Sequence, residues 1–200
     1  LQAARDRINN LLSVGEALIQ LTAASGIETV DTPLIRVVQE AAARIAERFE
    51  QALAKGEVSL VDLFDEDYKP IAGTNPQQFM TRFVALTDRA LPEIQEPILA
   101  SDPKIVFGAA LDRNGYLPTH NRKFSQPQGS DVAWNTANCR NRRIFNDRVG
   151  LAAGRNTKPF LVQTYRRDMG GGKFALMKDV SAPITVQGRH WGGFRLGYLV

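Results

Sequence analysis

The chain predicts an α+β domain: a five-stranded antiparallel sheet with long N-terminal helices packed on one side. Three observations lead there. The first hundred residues repeat their apolar positions at helical spacing, the stretch from Lys104 to His120 reads as two short strands around an Asn-Gly turn, and Pro159 to Val200 holds three strand-like runs divided by glycine. Two hundred residues with 44% apolar content suffice to bury a real core. The expected division is a helical segment over 1–100 and a sheet domain over 101–200, joined as one compact unit.

Leu1, Ala4, Ile8, Leu11, Gly15 and Leu18 recur at alternating steps of three and four. That spacing fits the tail of a longer coiled coil, and equally an amphipathic helix lying on the domain's own core. Ser25-Gly26 ends this helix. Asp31-Thr32-Pro33 starts the next, with an N-cap candidate followed by proline at the first helical position. Leu34, Val38, Ala41, Ile45, Phe49 and Ala52 form its buried stripe, and Lys55-Gly56 closes it. Glu57 to Gly73 is an acidic connector; Asp62, Asp65, Glu66 and Asp67 lack the glycine and final glutamate spacing of a calcium loop, so a solvated turn is expected. Asn75-Pro76 is read as opening a third helix with Phe79, Phe83, Leu86 and Ala90 on one face, kinked or ended at Pro92 and Pro97.

Lys104 to Leu111 is the first strand, Asp112 to Gly115 a hairpin turn, and Tyr116 to His120 a second strand shortened by Pro118. A polar loop leads into one helix from Val132 to Val149, with Trp134, Ala137, Asn141 and Phe145 expected inward. The closing meander runs Phe160 to Arg167, Phe174 to Ile184 and Arg189 to Leu199, with turns at Met169 to Lys173 and Gln187-Gly188.

The net charge of +4 hides an asymmetry: residues 1–100 carry 9 Lys/Arg against 15 Asp/Glu, and residues 101–200 carry 16 against 6. A basic half suggests an anionic partner, or else acidic helices packing beside a basic sheet. No apolar run is long enough to span a membrane, and the start at Leu1 suggests a piece of a longer protein. One cysteine, Cys139, precludes an internal disulfide or a cysteine-paired zinc site. His120 and His190 could ligate haem or a metal, but no Cys-x-x-Cys-His attachment motif is present and His190 beside Trp191 suits an ordinary hydrogen bond, so no cofactor is expected, a b-type haem or redox sensor being an alternative reading. Arg140, Arg142, Arg143 and Arg148 do not share one helical face and no reader motif accompanies them, so nucleic acid is not an expected partner. Gly170 to Lys173 lacks the spacing of a phosphate loop, and neither Cys139 nor Ser181 has a placeable general base, so no enzyme is expected.

Strand alternation puts Gln163, Tyr165 and Arg167 on one face, with Met177, Asp179 and Ser181 on the matching face of the next strand. Tyr165, Arg167 and Asp179 together offer a hydroxyl, a guanidinium and a carboxylate, the groups that orient a small polar ligand. The other reading of the same residues is a structural Arg–Asp pair across two strands.

DRNGYLPTHN from Asp112, CRNRRIFNDRVG from Cys139, PFLVQTYRRDMGGG from Pro159 and LMKDVSAPITVQGRHWGGFRLGY from Leu176 resemble the Cache or PAS-like sensor domain of bacterial methyl-accepting chemotaxis proteins. The likeness covers about residues 100–200, and DLFDEDYKPIAGTNP from Asp62 is similar to the same receptors. It implies a small polar or anionic ligand between the sheet and its second-to-third-strand connection, which adds Tyr116, His120, Phe124 and Arg142 to Tyr165, Arg167, Met177 and Asp179 as candidate contacts. It further implies a homodimer that governs a chemotaxis histidine kinase and coupling protein through a separate signalling domain. The heptad pattern and the ending after GYLV fit the cytoplasmic members of that family, the alternative being an extracytoplasmic sensor between membrane spans.

Overall fold

In the computed structural model, which describes residues 2–168 and 174–200, two helices of equal length come first: α1 (Gln2–Ala24) and α2 (Thr32–Ala54). Short elements follow, α3 (Leu60–Leu63), β1 (Lys69–Pro70), β2 (Phe79–Met80), α4 (Val84–Ala90) and α5 (Pro92–Ser101). The second half comprises β3 (Ile105–Asp112), β4 (Tyr116–Leu117), a single 3-10 turn at Arg122–Phe124, α6 (Val132–Asn138), β5 (Arg143–Ile144), α7 (Arg148–Arg155), β6 (Leu161–Asp168), β7 (Phe174–Val186) and β8 (Arg189–Leu199). The protein is α+β. Among the described residues no helix is long and apolar enough to cross a membrane.

The main sheet has four antiparallel strands in the order β3-β8-β7-β6, not five. Side chains occupy part of both outer edges. On β3, the Gly108 N–H donates to Asn121 Oδ1 at 2.9 Å and the Ala110 N–H to Gln95 Oε1 at 3.1 Å, both acceptors fully buried. With those donors satisfied, the chain after Gly115 leaves the sheet, and β4 pairs instead with β5, Tyr116 opposite Ile144. On β6, the Thr164 N–H donates to Glu16 Oε1 at 2.8 Å, and Gln20 Nε2 donates to Phe160 O at 2.8 Å, both from α1. An unpaired strand edge is otherwise a template for another chain.

Alternation divides the sheet's two faces. Val162, Val180, Ala182, Ile184, Phe194 and Leu196 meet Val38, Ile45 and Phe49 of α2 and Leu91 and Ile94 beside α5 in one core. Burying each such side chain contributes about 1.5–3 kcal/mol. Trp191 is the keystone of this side: Phe49 and Phe83 pack edge-on at 5.1 and 5.6 Å, and its Nε1–H donates to Leu63 O at 2.9 Å. The opposite face carries Phe107, Ala109, Leu111 and Met177 under Ala153 of α7, so helices lie on both faces rather than on one. Gly193 lets α7 approach: a Cβ there would stand 2.6 Å from Ala153 O.

Other expectations are corrected. The stretch 132–149 is two helices and a strand, because Asp131 and Asp147 each cap a separate start and Arg142 takes a left-handed backbone at φ 59°. Asn135 and Cys139 face inward there, while Trp134 is exposed. No helix opens at Asn75-Pro76; Phe79 enters β2, its N–H donating to Arg142 O, and Pro92 starts α5. α2 begins at Thr32, so Pro33 stands second rather than first, and the Asp31 carboxylate makes no cap bond because it receives Lys178 Nζ and Tyr198 OH, each at 2.7 Å. The Met169 to Lys173 connection and the side chains of Leu1, Ala4 and Ile8 lie outside the described residues. Ion pairs Glu16–Arg148, Asp31–Lys178, Glu66–Arg113 and Asp88–Arg142 join the acidic first half to the basic second.

Candidate functional site

On the α7 face, the sheet and the segment from β4 to α7 enclose a cavity of about 210 Å³. β3 supplies Phe107, β6 Tyr165 and β8 Arg195; the covering segment supplies Leu117, His120, Arg140, Phe145, Asp147 and Val149. Gly197 makes this surface flat, since a Cβ there would run into the Phe107 ring. Two guanidinium groups lie over aromatic rings of the lining, Arg195 5.2 Å from the Phe107 centroid and Arg140 4.9 Å from that of Phe145.

The floor is an ion pair. Arg195 Nε and Nη2 donate to Asp179 Oδ2 at 2.8 and 2.6 Å, and Asp179 is fully buried. Burial pushes the Asp179 carboxyl up to about 6 against the opposing pull of Arg195. Asp179 Oδ1 and Ser181 Oγ, two residues apart on one face of β7, are buried without hydrogen-bond partners. Tyr165 OH reaches Met177 Sδ at 3.8 Å, so Met177 sits beneath the tyrosine rather than on the cavity surface.

The roof is set by caps and rings. Asp147 accepts the Val149 and Gly150 N–H groups at 3.0 Å each, which fixes the start of α7 and holds the carboxylate at the cavity rim. His120 lies edge-on between Phe107 at 5.6 Å and Phe124 at 4.9 Å. Its Nδ1 accepts the Asn121 N–H at 2.8 Å, so the neutral ring carries its proton on Nε2. The same histidine borders a second, more open groove of about 400 Å³ with Asp88, Thr119, Arg122 and Arg142.

The structure thus brings His120, Tyr165 and, one layer down, Met177 and Asp179 together. Phe124 stands behind His120 and does not line the cavity. Tyr116 faces the other core, its OH donating to Phe79 O at 2.8 Å, because successive residues on β4 point to opposite sides and Leu117 takes the cavity. Arg142 lies in the outer groove, Nη2 2.7 Å from Asp88 Oδ2, turned there by its left-handed backbone. The Arg167 side chain lies outside the described residues. His190 bonds Gly154 O through Nε2 at 2.7 Å, and among the described residues no group of three or more metal-ligating side chains converges.

Sequence reasoning missed Arg195, Arg140, Asp147, Phe107 and Phe145. Arg195 had a signal: it alternates with Gly193 and Gly197 and is the one charged residue between Trp191 and Val200. Asp147 had a second, as a cap residue ahead of the apolar Val149 and Leu151.

No protein-family model matches the chain, and no curated protein matches it. The arrangement itself suits recognition of a small polar molecule. Aromatic rings wall it on two sides, the Arg140 and Arg195 guanidinium groups stand against the Asp147 carboxylate, and His120 and Tyr165 add a ring nitrogen and a hydroxyl.

Proposed function

We propose that this chain is the ligand-binding sensory domain of a methyl-accepting chemotaxis receptor, acting without catalysis. The observation that carries the reading is the cavity on the α7 face, where Arg140, Arg195, Asp147, His120 and Tyr165 converge from both halves of its lining. The resemblance of residues 100–200 to Cache or PAS-like sensors supports it. The ligand is small, polar and bears an anionic group facing the guanidinium side. Its binding selects one arrangement of sheet and covering segment and biases the attached helices, through which a cytoplasmic signalling domain controls a chemotaxis histidine kinase and its coupling protein.

Thermal-shift screening with organic acids, amino acids and purines tests this. A binding compound raises the melting temperature, and Arg140→Ala and Tyr165→Phe reduce that rise. A broad panel that leaves the wild-type melting temperature unmoved sinks the reading.

A second reading is a dimerisation domain with no ligand. It draws on α1, whose Leu11, Val14, Leu18 and Leu21 are spaced by threes and fours and are 59–72% exposed. Self-association indifferent to every compound and to Arg140→Ala would favour it.

A further inference from the structure

We infer that Glu16 is the residue through which the cavity acts on α1, a reading that rests on the cavity being a ligand site. α1 packs Ile19 against the core but leaves other apolar side chains outward. Its leucines at 11, 18 and 21 face solvent while the Glu16 side chain is only 15% exposed, turned towards the sheet. Such a carboxylate is held by specific bonds rather than by apolar contact.

Those bonds form a ring around one edge residue. Glu16 Oε1 accepts the Thr164 N–H at 2.8 Å, and Arg148 Nη1 lies 3.4 and 3.3 Å from the two carboxylate oxygens. Arg148 Nη2 donates to Thr164 O at 2.9 Å. Both backbone groups of Thr164 are therefore taken by a pair of side chains that also bind each other, one from α1 and one from α7.

Each partner of Glu16 is a chain neighbour of the cavity lining. Arg148 stands between Asp147 and Val149, and Thr164 precedes Tyr165. Beneath the ring, Gln163 Nε2 donates to Val149 O at 3.0 Å and ties the same two walls together. A ligand wedged between Asp147 and Tyr165 separates the start of α7 from β6, and Glu16 cannot then keep both partners. Gln20, one turn along, bonds Phe160 O, whose chain neighbours do not line the cavity. α1 thus has a fixed point at Gln20 and a responsive one at Glu16.

The test is a double-mutant cycle read by hydrogen exchange on the full 200-residue chain. Asp147→Ala, which removes the cap and loosens the α7 start without ligand, is expected to speed exchange of the α1 amides over 12–22 by about fivefold or more in the otherwise wild-type chain. In the Glu16→Ala background, where α1 has lost its bonds to Thr164 and Arg148, the same change is expected to add nothing. Arg148→Ala breaks the ring from the other side and should behave like Glu16→Ala; the melting temperatures of all variants control for global unfolding. Equal effects of Asp147→Ala in both backgrounds, or a loosened α7 with α1 unmoved, overturns the assignment. The cycle needs no ligand, so a silent compound panel counts against the sensor reading alone, whereas a compound that binds and leaves α1 exchange unchanged counts against Glu16.

Discussion

Arg195 on β8 and Asp179 on β7 are joined diagonally across two strands, Nε and Nη2 meeting a single carboxylate oxygen at 2.8 and 2.6 Å. Register places Arg195 opposite Ser181 and Asp179 opposite Gly197, so the guanidinium reaches back over a residue with no side chain. Both charges are buried, and the pair is worth less than the damage done by removing one member.

Arg195→Ala should therefore destabilise the fold by about 3–5 kcal/mol, leaving Asp179 without its counter-charge. The apolar double variant Arg195→Met with Asp179→Leu should recover most of that loss. Urea denaturation of the three proteins checks it; a double variant no better than the single one would show that packing, not charge, dominates the floor.

Two buried carboxyls predict a pH dependence. Burial pushes Asp112 up to about 6 although Tyr68 OH donates to it at 2.6 Å and the Asn114 and Tyr116 N–H groups donate as well; Asp179 is raised to about 6 likewise. In each case the folded state holds its proton more tightly than the unfolded chain, whose carboxyls titrate near 3.8. Their stabilising contribution is full below that value and is lost as pH rises through about 6. The stability of wild type relative to Asp112→Asn should thus rise by on the order of 2 kcal/mol between pH 7 and pH 4. Denaturant midpoints of the two proteins across that range measure it, and a relative fall on acidification would contradict the sign.

Gly193→Ala should separate α7 from the sheet. The obstacle is the backbone oxygen Ala153 O, which cannot swing aside as a side chain would. An overpacking penalty of about 1–3 kcal/mol is expected, with faster amide exchange confined to α7 and β8. Unchanged exchange in α7 would mean that the contact relaxes elsewhere.

Leu18→Glu should weaken self-association without lowering the melting temperature of the monomer, since Leu18 is 60% exposed and supports no internal contact face. Sedimentation equilibrium over a wide concentration range decides. Identical curves for wild type and variant would remove the outward stripe of α1 as a contact between copies.

Much of the fold was legible because local pattern and tertiary packing agree. The stripe Val38, Ala41, Ile45, Phe49 and Ala52 is buried as its spacing requires, and the three meander strands fall within a few residues of their expected bounds. The failures come where a distant partner overrides a local signal. Asp31-Thr32-Pro33 reads as a capped start with proline first, yet Lys178 and Tyr198 claim the Asp31 carboxylate and the proline falls second. Tyr116 to His120 reads as a sheet strand, yet Gln95 and Asn121 already occupy the place beside β3. Of the candidate site, alternation placed Tyr165 and Asp179 on one face because they lie on long strands, while Arg140 and Asp147 sit in a segment of short elements and turns, one of them at left-handed Arg142.

The side chains of Glu16, Gln20, Gln95 and Asn121 along the outer strands have a consequence for assembly. A peptide adding a strand at Phe160 and Thr164, or at Gly108 and Ala110, must first evict them. Helix surfaces carry no such obstacle. Contact between copies through the outward leucines of α1 leaves the strand edges, and the route by which sheets grow into fibres, untouched.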